Sequence, residues 1–308
     1  VPMIRAVADA ARRLNTDAKV IGGDVNPNTV GRHAVDEFWL MPPTSKLDVG
    51  NVIDYCRDNG VGVVIPSRDG ELGFWSKHRS ELSESGIRVM VSPPETIEAC
   101  LDKLTFSRFL IDSGLPAIPT FEEADEVDSP MVVKERFGAG SRTVRLNCDR
   151  LEAKRFGAKL ESPLYQPQVS GREYSVDAYV DGQGRFKGAV ARVRDLVVNG
   201  ESQVTTTVNH PGLCTLVEEV ALALDLSGHF MIQSIEDDAG GLHIIECNAR
   251  FGGASTLALS AGLDSFHWFL LEAVGTDIAD RQFERVASEL TQIRVPSDIV
   301  SSASEVLH

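Results

Sequence analysis

An α/β block followed by an α+β block is the fold class that this sequence predicts. Three observations predict it. Short apolar strands alternate with amphipathic helices over residues 1–94. Beyond that the strands lengthen, alternate apolar with polar residues, and come in pairs. The change falls at Pro93-Pro94, a pair of prolines that ends the first pattern.

In the first block, Ile4, Val7, Ala8, Ala11 and Leu14 follow helical spacing over 3–14. Residues 19–23 read as a short strand ending in two glycines. A helix is expected over 48–59 with Gly60 just past its end, then a strand at 61–66, a helix at 71–85 and a strand at 87–92. This rhythm predicts a parallel sheet with helices on both faces, a Rossmann-like arrangement. Gly22-Gly23-Asp24 and Ser67-Arg68-Asp69 then stand at carboxyl ends of strands, where ligand crevices open in such sheets. Loop solvation and helix capping are the plainer explanation of these polar residues.

In the second block a helix is expected over 95–113, followed by a proline-flanked extended stretch to Pro119. Strands follow at 131–134, 143–146 and 164–168, with a charged helix at 149–160. A long half-buried strand spans 173–180 and returns over 186–193. A helix covers 213–224, and 230–235 pairs with 242–247 around Asp237-Asp238-Ala239-Gly240-Gly241. The tail gives weaker signals, a helix at 281–290 and a short strand at 291–295. It either completes the sheet or contacts a partner.

The chain has 308 residues, a length that suits roughly two domains. With 43% hydrophobic and 24% charged residues it is globular in composition, which excludes disorder, collagen or coiled coil as whole-chain readings. Acidic residues outnumber basic ones 45 to 30, for a net charge of −15. Such a surface repels nucleic acid and anionic lipid, and no apolar run approaches the roughly 18 residues of a membrane span. The five cysteines are scattered without a CxxC, which argues against disulfides or zinc and fits a reducing, cytoplasmic setting. The sequence opens on Val1-Pro2 and on a helix, so a first strand and its turn are expected before residue 1.

Four constellations carry chemistry. In Glu246-Cys247-Asn248-Ala249-Arg250, residues two apart share a strand face. Glu246 and Asn248 offer oxygens that suit Mg²⁺, and Arg250 suits a phosphate or an acyl phosphate beside it. Gln233, on the preceding strand, can lie beside Glu246. A solvent-facing strand edge with an incidental ion pair is the plainer alternative. Lys134 ends an apolar strand before Gly138-Ala139-Gly140-Ser141, a lysine and a glycine turn that can meet nucleotide phosphates. This is neither a P-loop nor GxGxxG, and glycine-rich hairpin turns are common. Asp102-Lys103, inside the helix from Glu95, would ordinarily be a solvated face and gains weight only from its distance to Lys134. Finally, Pro167 leaves backbone groups unpaired near Gln166, which could meet an adenine amine, while Glu173 could take ribose hydroxyls. A plain connection between strands accounts for the same residues.

The order of these signals resembles the ATP-grasp superfamily, in the branch around the large subunit of carbamoyl phosphate synthase and its stand-alone relatives. The similarity covers about residues 95–275 and is most specific over 246–262. The resemblance implies a pre-ATP-grasp domain (1–94), then an ATP-grasp domain (95–275) of two lobes, about 95–170 and 171–275, and a C-terminal segment (276–308). It implies Lys103 and Lys134 on the ATP phosphates, with Gly138, Gly140 and Ser141 in a lid over them. It implies Gln166 and the backbone near Val169 at the adenine, and Glu173 at the ribose. Gln233, Glu246 and Asn248 fall on Mg²⁺ positions that also accept Mn²⁺, and Arg250 beside the transferred phosphate. Arg192 and Arg194 match a basic strand that meets the anionic substrate; a solvated basic strand is the simpler reading of both. Two departures stand out: the hinge often has an acidic residue where this chain has Gln166, and carbamoyl phosphate synthase carries two such units in tandem where this chain has one.

The expected function is an ATP- and Mg²⁺-dependent ligase joining a small anionic carboxylate to an amine or ammonia through an acyl phosphate, releasing ADP and phosphate. Rivals are phosphorylation of bicarbonate or carbamate with a partner subunit, a nucleotide-binding module without catalysis, and a dinucleotide oxidoreductase. A homodimer is the symmetric default for the assembly.

Overall fold

The computed structural model describes residues 1–138, 144–198, 200–296, 298 and 300. The N-terminal block runs α1 (Pro2–Leu14), β1 (Ile21–Asp24), β2 (Glu37–Leu40), α2 (Val49–Asp58), β3 (Val63–Val64), α3 (Asp69–Lys77), α4 (Arg79–Glu84) and β4 (Arg88–Val89). Its strands are parallel, as expected, but among the described residues they form two separate pairs, β1–β2 and β3–β4, rather than one sheet. The helix expected over 71–85 is broken at His78, which ends α3 and begins α4.

The helix expected over 95–113 is also two: α5 (Pro94–Leu101) and α6 (Lys103–Asp112). Asp102 between them leaves helical geometry at φ −104° and ψ 101°, and its carboxylate accepts from the amides of Leu104 and Thr105. The charged pair is therefore a helix start rather than a solvated helix face. After it come β5 (Met131–Glu135), β6 (Val144–Cys148), α7 (Arg150–Gly157) and β7 (Pro163–Pro167), with the strands ordered β6-β5-β7. Met131, Val133 and Tyr165 fill a small core under α7. The register pairs Val132 with Gln166 and Lys134 with Leu164, so Gln166 and Lys134 share the opposite face.

The large sheet comprises β8 (Gly171–Val180), β9 (Phe186–Val198), β10 (Glu201–Val208), β11 (Gly228–Asp237), β12 (Leu242–Asn248) and β13 (Thr291–Ile293), with α8 (Pro211–Ala223), α9 (Thr256–Ser260) and α10 (Ser265–Ala273) around it. Its order is β12-β11-β8-β9-β10-β13 and every neighbouring pair is antiparallel. β13 settles the tail as a sheet strand, and 281–290 is not helical. β10 is an element the sequence reading missed, although Val204-Thr-Thr-Thr-Val208 is a β-branched run.

Alternation gives this sheet two characters. Tyr174, Val176, Ala178, Phe230 and Ile232 point into a core shared with α8 and with Val52, Leu72 and Trp75 of the N-terminal block. Each such buried side chain contributes roughly 1.5–3 kcal/mol. The other face carries Glu173, Asp177, Arg192, Arg194 and Gln233. Part of that face is covered by Phe251, α9 and α10, against which α1 packs. The extended stretch after α6 joins the sheet edge where Ala117 pairs with Ile244. No helix among the described residues is long and apolar enough to cross a membrane.

Candidate functional site

A cleft of about 260 Å³ opens where three regions meet: the start of α3, the junction of α5 with α6, and the end of β12. Lys103, Gly138, Glu246 and Asn248 line it together, and Asp69 reaches it from the N-terminal block. Gly140 and Ser141 lie outside the described residues.

Lys103 is the first residue of α6, and its ammonium donates to the Gly138 carbonyl at 2.7 Å. Arg136 reinforces this link by placing two of its three guanidinium nitrogens on Asp102, at 2.8 and 2.6 Å. Burial would raise the Asp102 carboxyl, but the hydrogen bonds from Arg136 and Thr105 outweigh it and hold the group below its ordinary value. The helix start and the entry to the glycine loop are thus tied by one aspartate, a role the sequence reading did not assign to Arg136.

Lys134 is 4% exposed and makes its electrostatic contacts with Glu246 and Lys103. Burial pushes its ammonium down to about 8; the nearby Glu246 opposes the shift and Lys103 adds to it. Lys103 and Glu246 line the cleft, and Lys134 lies within electrostatic range of both. Gln166 is also buried, and its amide donates to Thr120 Oγ1 at 2.7 Å. Val169 follows β7 in a partly buried connection.

Glu246 and Asn248 stand on one face of β12, as the spacing predicts, and the Asn248 amide donates to Glu246 at 3.4 Å. Gln233 is the cross-strand partner of Glu246. Its amide donates to Glu173 at 3.2 Å, and Arg194 also donates to the same Glu173 oxygen. Three residues expected in three different roles therefore form one hydrogen-bonded group beside the cleft. Arg194 meets a carboxylate of its own chain.

Arg192 stands elsewhere. It is 2% exposed, and its Nε donates to Asp177 at 2.7 Å. Asp177 also takes the Ser255 hydroxyl and faces His229 Nε2 at 3.3 Å. Burial would raise the Asp177 carboxyl, but Arg192, His229 and Ser255 hold it well below the usual carboxylate range. The Ser255 hydroxyl also accepts from the Gly252 amide. Arg192 is a strut beneath the turn that follows Arg250, and its guanidinium does not reach the cleft surface. The expectation of two arginines entering the cleft from one strand is corrected in that respect: shared facing holds, but the turn at 252–255 covers the inner one.

Arg250 donates to both oxygens of Asp69, at 2.8 and 2.6 Å, and to the Asn248 side-chain oxygen at 3.4 Å. Asp69 is the element of this site that the sequence left between two readings. Glu71 caps the turn, accepting from the amides of Ser67 and Arg68 at 2.7 and 2.9 Å, so capping is real as well. Asp24, by contrast, only accepts from the Asn26 amide in its own turn. Cys247, behind the cleft, has a thiol raised by its hydrogen bond with Cys100 and by burial, which disfavours a thiolate nucleophile there.

Residues 159–295 match the family described as ATP-grasp in the biosynthetic pathway with Ter operon. The carbamoyl phosphate synthase large chain of Sulfurisphaera tokodaii is 24% identical over 282 residues, 82% of this chain and 26% of that one. That of Streptomyces coelicolor is 33% identical over 187 residues, 54% of this chain and 16% of that one. The chain thus spans about a quarter or less of these relatives' length. In fold it is similar to the biotin carboxylase domain of Hydrogenobacter thermophilus 2-oxoglutarate carboxylase, solved with MgADP and bicarbonate. The TM-score is 0.77 at 18% identity, covering 95% of this chain and 72% of that one. Staphylococcus aureus N5-carboxyaminoimidazole synthetase with ADP gives 0.70 at 15% identity, covering 90% and 75%. Bacillus licheniformis L-amino acid ligase gives 0.70 at 18%, covering 95% and 77%.

Proposed function

We propose that this chain, which carries an ATP-grasp domain related in sequence to the large chain of carbamoyl phosphate synthase, is an ATP- and Mg²⁺-dependent ligase. It would activate a small carboxylate as an acyl phosphate and pass it to an amine or ammonia, releasing ADP and phosphate. The observation that carries this reading is the single cleft lined by Lys103, Gly138, Glu246 and Asn248.

The side chains suit the groups this requires. Glu246 and Asn248 present oxygens on one face, with Gln233 opposite Glu246; one carboxylate and two carboxamides match a hard cation that keeps phosphate and water ligands. Mg²⁺, when bound, would neutralise charge on the phosphates of the nucleotide. Lys103 and Lys134 would hold those phosphates and stabilise charge that develops as the γ-phosphate transfers. Lys134 is suited because its buried ammonium lacks full compensation until an anion arrives. Gln166 and the backbone near Val169 would meet the adenine. Glu173 would meet the ribose, exchanging its bonds to Arg194 and Gln233 for sugar hydroxyls. Arg194, once released, and Arg250 would orient the carboxylate and the acyl phosphate. Gly140 and Ser141 would belong to the lid that keeps water from the acyl phosphate.

A bicarbonate substrate is the second reading. It is favoured by the carbamoyl phosphate synthase relatives and by the likeness to a biotin carboxylase domain solved with bicarbonate. The deciding experiment is release of ADP and phosphate from Mg·ATP over a panel of carboxylates and bicarbonate, with and without amines and ammonia. Glu246→Ala serves as the blank. Release that needs a carboxylate, rises with an amine and vanishes in the variant supports the ligase. Release with bicarbonate alone selects the second reading, and AMP with pyrophosphate overturns both.

A further inference from the structure

The helix α3 begins at the cleft and ends at a second, larger cavity of about 680 Å³. This one lies at the seam between α3, α4 and β4 on one side and the β8 end of the large sheet with α10 on the other. Its size is within the range of ligand pockets, roughly 300–1,000 Å³, and such seams are where ligand pockets concentrate. One wall is apolar, with Met90, Pro93, Tyr179 and Phe269. Lys77, Arg79 and Arg88 supply positive charge to the other.

The balance of charge in this cavity is incomplete. Arg79 is partly buried, and among the described residues it makes no hydrogen bond or ion pair. Burial and then the charge of Arg88 lower its pKa, while Asp225 opposes this from beyond ion-pairing range. Among the described residues the only side-chain hydrogen bond of Arg88 is a 3.5 Å contact with Ser83 Oγ. Two carboxylates also line the cavity: Glu272, which accepts from the Tyr179 hydroxyl and the Gly182 amide, both at 2.6 Å, and the exposed Glu84, so three basic side chains face two acidic ones. Both guanidiniums keep their protons. An anion shared between them gains charge-assisted hydrogen bonds, and a dianion with several oxygens matches two planar donor forks best.

We infer that this cavity is a second ligand site that takes a small phosphate monoester, its phosphate between Arg79 and Arg88 and its organic part against Pro93 and Phe269. The site is separate from the Lys103–Glu246 cleft and does not depend on the ligase reading.

Calorimetric titration with inorganic phosphate and with phenyl phosphate tests it. Three proteins are compared: the unaltered chain, Arg79→Gln/Arg88→Gln, and Lys103→Ala/Lys134→Met, which disables the other cleft. The expected result is binding of both probes to the unaltered chain and to the lysine variant. Phenyl phosphate should bind about tenfold more tightly, because its ring buries apolar surface. The arginine variant should lose at least about thirtyfold in affinity, as expected when charge-assisted hydrogen bonds are removed. Arg88→Glu guards against a folding defect, since Arg88 is exposed; its carboxylate would occupy Arg79 and abolish binding in a folded protein. No heat from the unaltered chain, retained affinity in Arg88→Glu, or loss in the lysine variant alone would each overturn the proposal.

Discussion

Arg192–Asp177 and Arg250–Asp69 are the same ion pair in two settings. The first has side chains 2% and 0% exposed, inside the sheet face beneath the Gly252 turn. The second has side chains 17% and 20% exposed, at the rim of the cleft. Arg192 lies inside β9 among apolar neighbours, whereas Arg250 follows the end of β12 at Asn248. Burial makes the inner pair a scaffold, because either partner alone would be an uncompensated charge in low dielectric. Partial exposure leaves the outer pair exchangeable, because water or a ligand anion can replace Asp69 at modest cost.

The sharpest way to break this comparison is Asp177→Ala. It should lower stability by about 3–5 kcal/mol, read as a shifted urea midpoint. The double variant Asp177→Ala/Arg192→Met should recover most of that loss. If the single variant were as stable as the parent, the inner pair would not be a scaffold.

Glu246→Gln should act in the opposite sense, on function rather than fold. ATP turnover should fall about 10²–10³-fold, while the urea midpoint stays close to that of the parent. A large stability loss with intact turnover would move Glu246 out of the proposed metal site.

Lys134 extends the comparison to a buried charge without a full partner. Its folded-state pKa of about 8 lies below its ordinary 10.5. Between those values the unfolded chain keeps a proton that the folded chain has lost. The Lys134 contribution to the stability of the nucleotide-free chain therefore rises with pH across that window, by at most about 3 kcal/mol. Nucleotide affinity should fall over the same window as the ammonium is lost. Lys134→Met should flatten the stability slope; an unchanged slope would assign it to other groups.

Asp69→Asn should have the smallest effect on stability, about 0–1 kcal/mol. Its mark should be kinetic instead, a change in KM for the substrate carboxylate as Arg250 is freed. An unchanged KM would leave the outer pair with a structural role only.

β8 was legible in the alternation over residues 173–180, although the structure buries both of its faces from Tyr174 onward. The Glu246–Asn248 pair was legible because residues two apart share a strand face. Residues 201–208 were missed although the β-branched run was present, and the short β2 lay outside any clear period. The two broken helices were missed because continuous helical spacing hides a cap: Asp102 looks like a surface charge until its carboxylate turns back onto the amides of Leu104 and Thr105.

The sequence by itself determined the change of character at Pro93-Pro94, the alternation that gives the large sheet a polar face, and the identity of the side chains placed on it. Those depend on local geometry, which a few neighbouring residues set. Only the tertiary structure decided that Arg192 is buried while Arg250 is partly exposed, that Asp69 is the partner of Arg250 across 181 residues, and that Glu173 gathers both Gln233 and Arg194. It alone placed Arg79 and Arg88 at one cavity. Long-range pairing and burial set the energy of a charge, and neither is written in the spacing of the residues that carry it.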